Sequence, residues 1–280
     1  MTSTPFINVS AYRFTPLAAD QLSTIKADLL QIANQCSLKG TVLLSTEGIN
    51  LFVAGLAAQI DAFFSHLNQY EQFQDLPRKD SLSAEQPFTR MLVRIKKEII
   101  SMGHEEIMPA KRTAPHLSAE QFKQWYEQNK DMVVLDTRND YEVELGTFQD
   151  AVDLNIETFR AFPDAVRELP KDMKKKTVVT FCTGGIRCEK AAEYMLQQGF
   201  EDVYQLDGGI LKYFEECGDS HYNGECFVFD KRVAVNANLE ETGTSQCFAC
   251  RMPLRTEEQS PVCPHCNGNP LTGTKAEQRT

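Results

Sequence analysis

Residues 177 to 191 read TVVTFCTGGIRCEKA: a β-branched run, a cysteine, two glycines and then a helical pattern. Few backbone arrangements accommodate that order. Thr177–Phe181 is apolar enough for a buried parallel strand. Thr183 to Arg187 forms a short loop, and Ala191, Ala192, Tyr194, Met195 and Leu196 carry on as helix. Cys182 therefore stands where loop N–H groups and a helix N-terminus converge, with Arg187 five residues on. Dipole and guanidinium both favour thiolate over thiol, so the free-cysteine pKa of about 8.5 is expected to fall toward neutrality or below. Gly184 and Gly185 let the backbone curl around an anion without Cβ clashes. An inert structural cysteine needs neither the glycines nor the arginine. Cys188, at the far end of the loop, reads either as a resolving thiol or as a first-turn residue packed inward.

Loop length separates two chemistries. Cysteine phosphatases use C-x5-R, wide enough for phosphate, whereas Cys182, Thr183, Gly184, Gly185, Ile186 and Arg187 make C-x4-R, a cradle suited to one sulfur carried on the cysteine. This loop resembles that of the rhodanese (sulfurtransferase) family, and the likeness extends both ways. Upstream, Val134-Leu135-Asp136-Thr137-Arg138 with Tyr141-Glu142 is similar to the family's D-x-R…[YF]-E segment. Downstream, the run from Gly199 to Ile210 is similar to its closing G-[FY]-x-x-V-x-x-L-x-G-G. The resemblance covers roughly residues 118 to 217 and implies a rhodanese-like parallel α/β domain, with its loop at the carboxyl end of a strand. Two positions depart from the family. Gly146-Thr147-Phe148 replaces a common Gly-His-Ile, and Tyr213 replaces a frequent tryptophan. Asp136, Arg138 and Glu142 are expected to hold the strand end as a charge network.

Residues 6 to 99 read as βαββαβ. Phe6–Phe14 reads as strand, and Leu22, Ile25, Leu29, Ile32 and Cys36 recur at helical spacing. Gly40–Ser45 and Ile49–Ala54 flank a hairpin turn, Ile60, Phe63, Phe64 and Leu67 mark a second helix, and Met91, Val93 and Ile95 alternate in a last strand. The order predicts a ferredoxin-like, acylphosphatase-like α/β sandwich over 1–100, with Arg90, Arg94, Lys96 and Lys97 giving one sheet face a positive charge suited to RNA backbone. Residues 101–117 contain Gly103, Pro109 and Pro115 without period and read as a linker. Ser118-Ala119-Glu120-Gln121 then opens a helix with a capping box. The segment 218–280 ends in a small cysteine-rich tail. Its two C-x2-C knuckles, Cys247/Cys250 and Cys263/Cys266, stand twelve residues apart and suit a zinc ribbon, redox-active dithiols or an untethered tail being the alternatives.

Across 280 residues the net charge is −10, which argues against indiscriminate nucleic-acid binding but not against one basic patch. No run of about 18 apolar residues predicts a membrane span. The start MTSTPFINVSAYRF reads unlike a secretory signal, and nine cysteines, one of them reactive, suit a reducing cytosol. Gly40 to Asn50, Lys96-Lys97-Glu98-Ile99-Ile100 and Cys226-Phe227-Val228-Phe229-Asp230 extend the likeness nearly chain-wide, to the rhodanese-domain tRNA uridine hydroxylases. That resemblance implies oxygen-dependent 5-hydroxylation of wobble uridine 34 in a tRNA anticodon loop, with Cys182 as the reactive residue. Molecular oxygen would be co-substrate; no flavin, haem or non-haem iron motif is visible, so the electron donor stays unassigned. A plain thiosulfate or persulfide sulfurtransferase is the alternative. The N-terminal domain separates the two, because simple sulfur transfer has no need of it.

Overall fold

The computed structural model describes residues 4–271; the last nine residues of the cysteine-rich tail lie outside the described residues. The N-terminal half contains Phe6–Phe14 (β1), Leu22–Gln35 (α1), Lys39–Ser45 (β2), Gly48–Gly55 (β3), Ala57–Leu67 (α2), Arg78–Ser83 (β4) and Met91–Ile95 (β5). They build one sheet in the order β4-β1-β3-β2-β5. Alternation decides its faces. Val9, Ala11, Leu51 and Val53 turn into a core that Ile25 and Leu29 of α1 and Ile60 and Phe63 of α2 close. The intervening Ser10, Tyr12, Asn50 and Phe52 point the other way.

One strand differs from the sequence reading. The fourth strand of the ferredoxin-like core is β4, paired antiparallel with β1, while Met91–Ile95 is a fifth strand parallel to β2 at the opposite edge. β4 reads Arg-Lys-Asp-Ser-Leu-Ser, with no apolar alternation to reveal it. It forms because β1 offers an unpaired edge, a tertiary cause that local propensity does not record.

The second half contains His116–Leu117 (β6), Ala119–Glu127 (α3), Val133–Asp136 (β7), Asp140–Val143 (α4), Gly146–Phe148 (β8), Val152–Asp153 (β9), Phe162–Arg167 (α5), Thr177–Phe181 (β10), Ile186–Gln197 (α6), Asp202–Leu206 (β11) and Gly209–Cys217 (α7). The strands β6-β11-β10-β7-β9 form a parallel sheet with β10 at its centre. Ser118 caps α3 by accepting from the Gln121 amide at 3.2 Å. The 101–117 stretch is not a loose connection. Met102, Ile107 and Ala114 are buried in the second core, and its last two residues pair as β6.

The chain after Cys217 also folds back. Tyr222–Gly224 (β12) pairs with β8, and Cys226–Phe227 (β13) pairs with Ala234–Val235 (β14). Tyr222, Cys226 and Val235 thus join the core that Phe122, Phe181 and Tyr213 form on one face of the second sheet. Ser245–Gln246 (β15) and Pro253–Leu254 (β16) form a last hairpin around the first cysteine knuckle. Lys190 of α6 ties the halves together. Its ammonium, 1% exposed, lies 2.8 Å from both Glu47 and Glu98 and donates to the Ile100 carbonyl at 3.1 Å. Glu47 also accepts from the Ile99 amide at 2.6 Å, so one carboxylate fixes the lysine and the connecting chain.

Candidate active site

Cys182 directly follows β10, and Gly185 starts α6 with φ +97, a left-handed conformation that L side chains rarely adopt. The bend turns the Gly185 amide onto the Cys182 sulfur at 3.1 Å. The loop carbonyls are taken up from the other side, where the Ile210 amide donates to Cys182 O at 3.0 Å and the Leu211 amide to Thr183 O at 3.1 Å. That close approach needs Gly209, where a Cβ would sit 2.3 Å from the Cys182 carbonyl oxygen. With its carbonyls held outward by α7, the loop presents N–H groups inward, an anion nest at a helix N-terminus.

Burial alone pushes the Cys182 thiol up. A hydrogen bond from Cys188, the Arg187 guanidinium and the amides of Arg187 and Gly185 more than offset it and bring the thiol down to about 5. Cys188 moves the opposite way, raised by burial and by the neighbouring Cys182 charge. It thus stays protonated and serves Cys182 as a hydrogen-bond donor, with the Thr137 hydroxyl 3.7 Å from its sulfur.

Arg187 does not turn its fork toward the sulfur. It grips Glu142 in a bidentate pair at 2.6 and 2.7 Å, both side chains buried. Arg187 therefore lowers the thiol through its charge and its own amide. Asp136 and Arg138 form a second pair, fully buried at 2.7 Å, and Thr147 of the departing Gly-Thr-Phe segment donates to Asp136 at 2.8 Å. The other departure, Tyr213, packs in the core and donates to the Ser220 carbonyl at 2.7 Å.

A roof closes the loop, and motif reading missed it. Cys182 is 1% exposed because the polar face of the N-terminal sheet lies across it. A Cβ on Gly184 would meet the Ser10 hydroxyl at 3.7 Å, and one on Gly185 would meet the Tyr12 hydroxyl at 2.9 Å. Tyr12 donates to Glu189 of α6 at 3.2 Å. Lys79 stands opposite Ser10 in the β1–β4 register, its ammonium 5.3 Å from the Tyr12 ring centroid. Burial pushes that ammonium down, against the pull of the Cys182 and Asp207 charges. Among the described residues no carboxylate lies within ion-pair distance of Lys79. The alternation of β1 carries a signal for Ser10 and Tyr12, polar residues on the face turned from the core, but none for what covers them. Lys79 had no signal, because its strand had none.

The basic quartet lies elsewhere. Arg90, Arg94, Lys96 and Lys97 are all exposed, along and just beyond the β5 edge. They are not brought to Cys182, and the sheet face expected to be open to RNA is covered by the second half at Tyr12 and Phe52 and by the Ile99 carbonyl of the connecting chain at Asn50. The knuckle cysteines do converge. Four sulfurs from Cys247, Cys250, Cys263 and Cys266 lie within 4.8 Å of one another, with Cys247–Cys266 at 3.9 Å and Cys250–Cys263 at 3.7 Å. A tetrahedral zinc site with bonds of about 2.3 Å has sulfur–sulfur edges of about 3.8 Å, so the set fits that ion.

Comparison with known proteins bears on both halves. A family model described as the UPF0176 acylphosphatase like domain matches residues 6–99, and one described as the Rhodanese-like domain matches residues 118–216. A tRNA uridine(34) hydroxylase of Cupriavidus necator is 50% identical over 275 residues, covering 94% of this chain and 97% of its own length. The chain belongs to the tRNA uridine(34) hydroxylase family. A member of that family from Ralstonia nicotianae is 49% identical over 272 residues, 93% of this chain and 96% of its own. Matches of this length take in the loop and the sheet that covers it together. Among the described residues no helix is long and apolar enough to cross a membrane.

Proposed function

We propose that this protein hydroxylates carbon 5 of uridine 34 in the tRNA anticodon loop, with Cys182 as the reacting side chain. The observation that carries the reading is a family-wide match over both halves, joined to a thiol held ionised by its loop. Thiolate addition at carbon 6 of uracil makes carbon 5 electron-rich, like an enolate, and so open to an electrophilic oxygen species. Molecular oxygen supplies the atom. The balance is uridine, O2, two electrons and two protons giving 5-hydroxyuridine and water, so a reductant accompanies the oxygen.

The chain's own groups divide the remaining work. The amides of Gly185 and Arg187, the Cys188 thiol and the Arg187 charge hold the sulfur anionic before attack. Lys79, without a carboxylate partner within ion-pair distance among the described residues, would meet negative charge on the uracil oxygens. Because the sulfur is buried under Ser10 and Tyr12, those side chains must give way for the base to reach it. A wobble base suits such a site, being single-stranded and able to splay out of its stack. Arg90, Arg94, Lys96 and Lys97 would hold the tRNA backbone outside. Cys247, Cys250, Cys263 and Cys266 would hold a structural zinc, whose role is to fold the tail and not to act on substrate. The enzyme would work in the cytoplasm, on tRNA.

Two measurements test the assignment. Bulk tRNA from cells lacking the protein should lose 5-hydroxyuridine and its derivatives by nucleoside mass spectrometry. Purified protein should turn over thiosulfate and cyanide poorly. An unchanged nucleoside profile together with brisk cyanolysis would make it a sulfurtransferase instead.

A further inference from the structure

We propose that the groove walled by Phe88, Tyr141, Phe227 and Phe229 is a base-stacking subsite for the single-stranded anticodon nucleotides next to the target uridine. The inference rests on the tRNA reading above and adds where the RNA is gripped. The groove has a volume of 440 Å³, within the range of about 300–1,000 Å³ typical of ligand pockets, and draws its walls from both halves and the C-terminal segment.

Four observations select the occupant. Phe229 is 46% exposed, a large apolar ring left in solvent, which is how interaction sites present themselves. That ring is held in place, 5.2 Å from Phe227 in an edge-on arrangement and 6.3 Å from Phe52, so a stacking base would not have to order it first. The groove adjoins the reactive loop. The Arg187 guanidinium lies 5.9 Å from the Phe229 ring centroid, and the Thr183 hydroxyl reaches the Phe227 carbonyl at 3.5 Å. A nucleotide stacked on Phe229 would therefore be a short step from one entering at Cys182.

Charge completes the case. The acid in the groove, Asp230, is neutralised by Arg232 at 2.6 Å, whereas the exposed Lys231 has no carboxylate within ion-pair distance among the described residues. Lys231 also fixes the groove's width, its amide donating to the Pro87 carbonyl at 3.2 Å. The wall Pro87–Thr89 runs straight into Arg90, the first of the exposed basic residues, so the phosphate path leaves the groove along β5. The larger cavity of 570 Å³ offers the opposite chemistry, with Glu157, Asp164 and Glu168 in its lining and no aromatic ring. Rings for bases beside cations for phosphates is the pattern of single-strand binding.

The test is fluorescence anisotropy of full-length protein with a labelled anticodon stem-loop RNA carrying uridine at position 34. Loss of one stacked base weakens binding by roughly 5- to 150-fold, and that is expected for Phe229→Ala and for Phe88→Ala. Phe229→Trp should bind like the parent, while Phe229→Leu, apolar but without a ring, should bind like Phe229→Ala. A stem-loop with abasic sites beside uridine 34 should bind the parent as weakly as Phe229→Ala binds the intact RNA. The rate at which a small alkylating reagent modifies Cys182 serves as a check that the loop is intact. Parent-like affinity for both alanine variants overturns the proposal, and so does parent-like affinity for Phe229→Leu, which would mark a merely apolar groove fit for a peptide. Hydroxylation of the same RNA by the parent protein is scored in parallel. If hydroxylation proceeds while the variants bind normally, only the subsite is wrong; if the parent neither binds nor hydroxylates, the tRNA reading itself has failed.

Discussion

Replacing Arg187 by glutamine should separate the two tasks this side chain performs. Its charge helps hold the Cys182 thiol at about 5, and a neighbouring opposite charge is worth about 1–3 pKa units. At pH 7 the parent thiol is ~99% ionised; a thiol moved to between about 6 and 8 is ~90% down to ~10% ionised. The inflection in the pH profile of Cys182 alkylation should rise accordingly. The same change strands Glu142, buried with its two short bonds to Arg187 gone. Breaking one side of a buried pair costs about 3–5 kcal/mol. In the parent, burial raises the Glu142 carboxyl but Arg187 lowers it further, so its folded pKa lies below the ordinary one. The pair's stabilisation is thus full above about pH 4.3 and lost as pH falls through the depressed folded value. Adding Glu142→Gln to Arg187→Gln should restore most of the stability, because no lone charge remains, while the alkylation inflection stays high. Denaturant melts and alkylation rates across pH measure both. An inflection in Arg187→Gln within a few tenths of the parent's, or a double variant that recovers the low inflection, would refute this division of labour.

Three further outcomes follow from the geometry. Since Cys182 is depressed in the folded state, its contribution is complete above the unfolded value near 8.5 and lost as pH falls through about 5; parent stability relative to Cys182→Ala should climb with pH over that window, and a flat difference in denaturant melts would contradict it. Lys190→Met leaves Glu47 and Glu98 facing each other without their cation, at a cost of up to about 3 kcal/mol after allowing for Glu47's partial exposure. Cys182 should then alkylate faster at fixed pH, whereas an unchanged rate would mean the roof is not what shields it. Elemental analysis should find one zinc per chain, lost in Cys247→Ser with Cys263→Ser along with protease resistance of the tail; a metal-free preparation with an intact tail would end the zinc assignment.

The fold of the loop around Cys182 was legible because its signal is local. A strand, a cysteine, two glycines and a helix start lie within a short window, and each has one backbone use. The helix Leu22–Gln35 and the hairpin of β2 and β3 were legible for a similar reason, their apolar spacing being carried in short windows. What could not be read depends on partners distant in sequence. Arg187 was seen as a cation for the sulfur, but its carboxylate lies 45 positions away. β4 carries charges where a strand would carry valines, so only the waiting edge of β1 defines it. Lys79 vanished with it. Ser10 and Tyr12 are polar residues of an alternating strand, yet nothing nearby says that their face closes over a thiol in the other half of the chain. The 101–117 segment misled for the converse reason, since its buried Met102, Ile107 and Ala114 have no period of their own.

Complementation of a strain lacking this protein, followed by nucleoside analysis of its tRNA, puts Cys182 itself on trial. A Cys182→Ser copy keeps the shape of the loop but swaps the ionised sulfur for a hydroxyl that stays protonated at neutral pH. Cells carrying it, with the protein present at parental abundance, should show no 5-hydroxyuridine at position 34, while the parental gene restores it. Parental levels of the modified base in the serine strain would remove the thiolate from the chemistry.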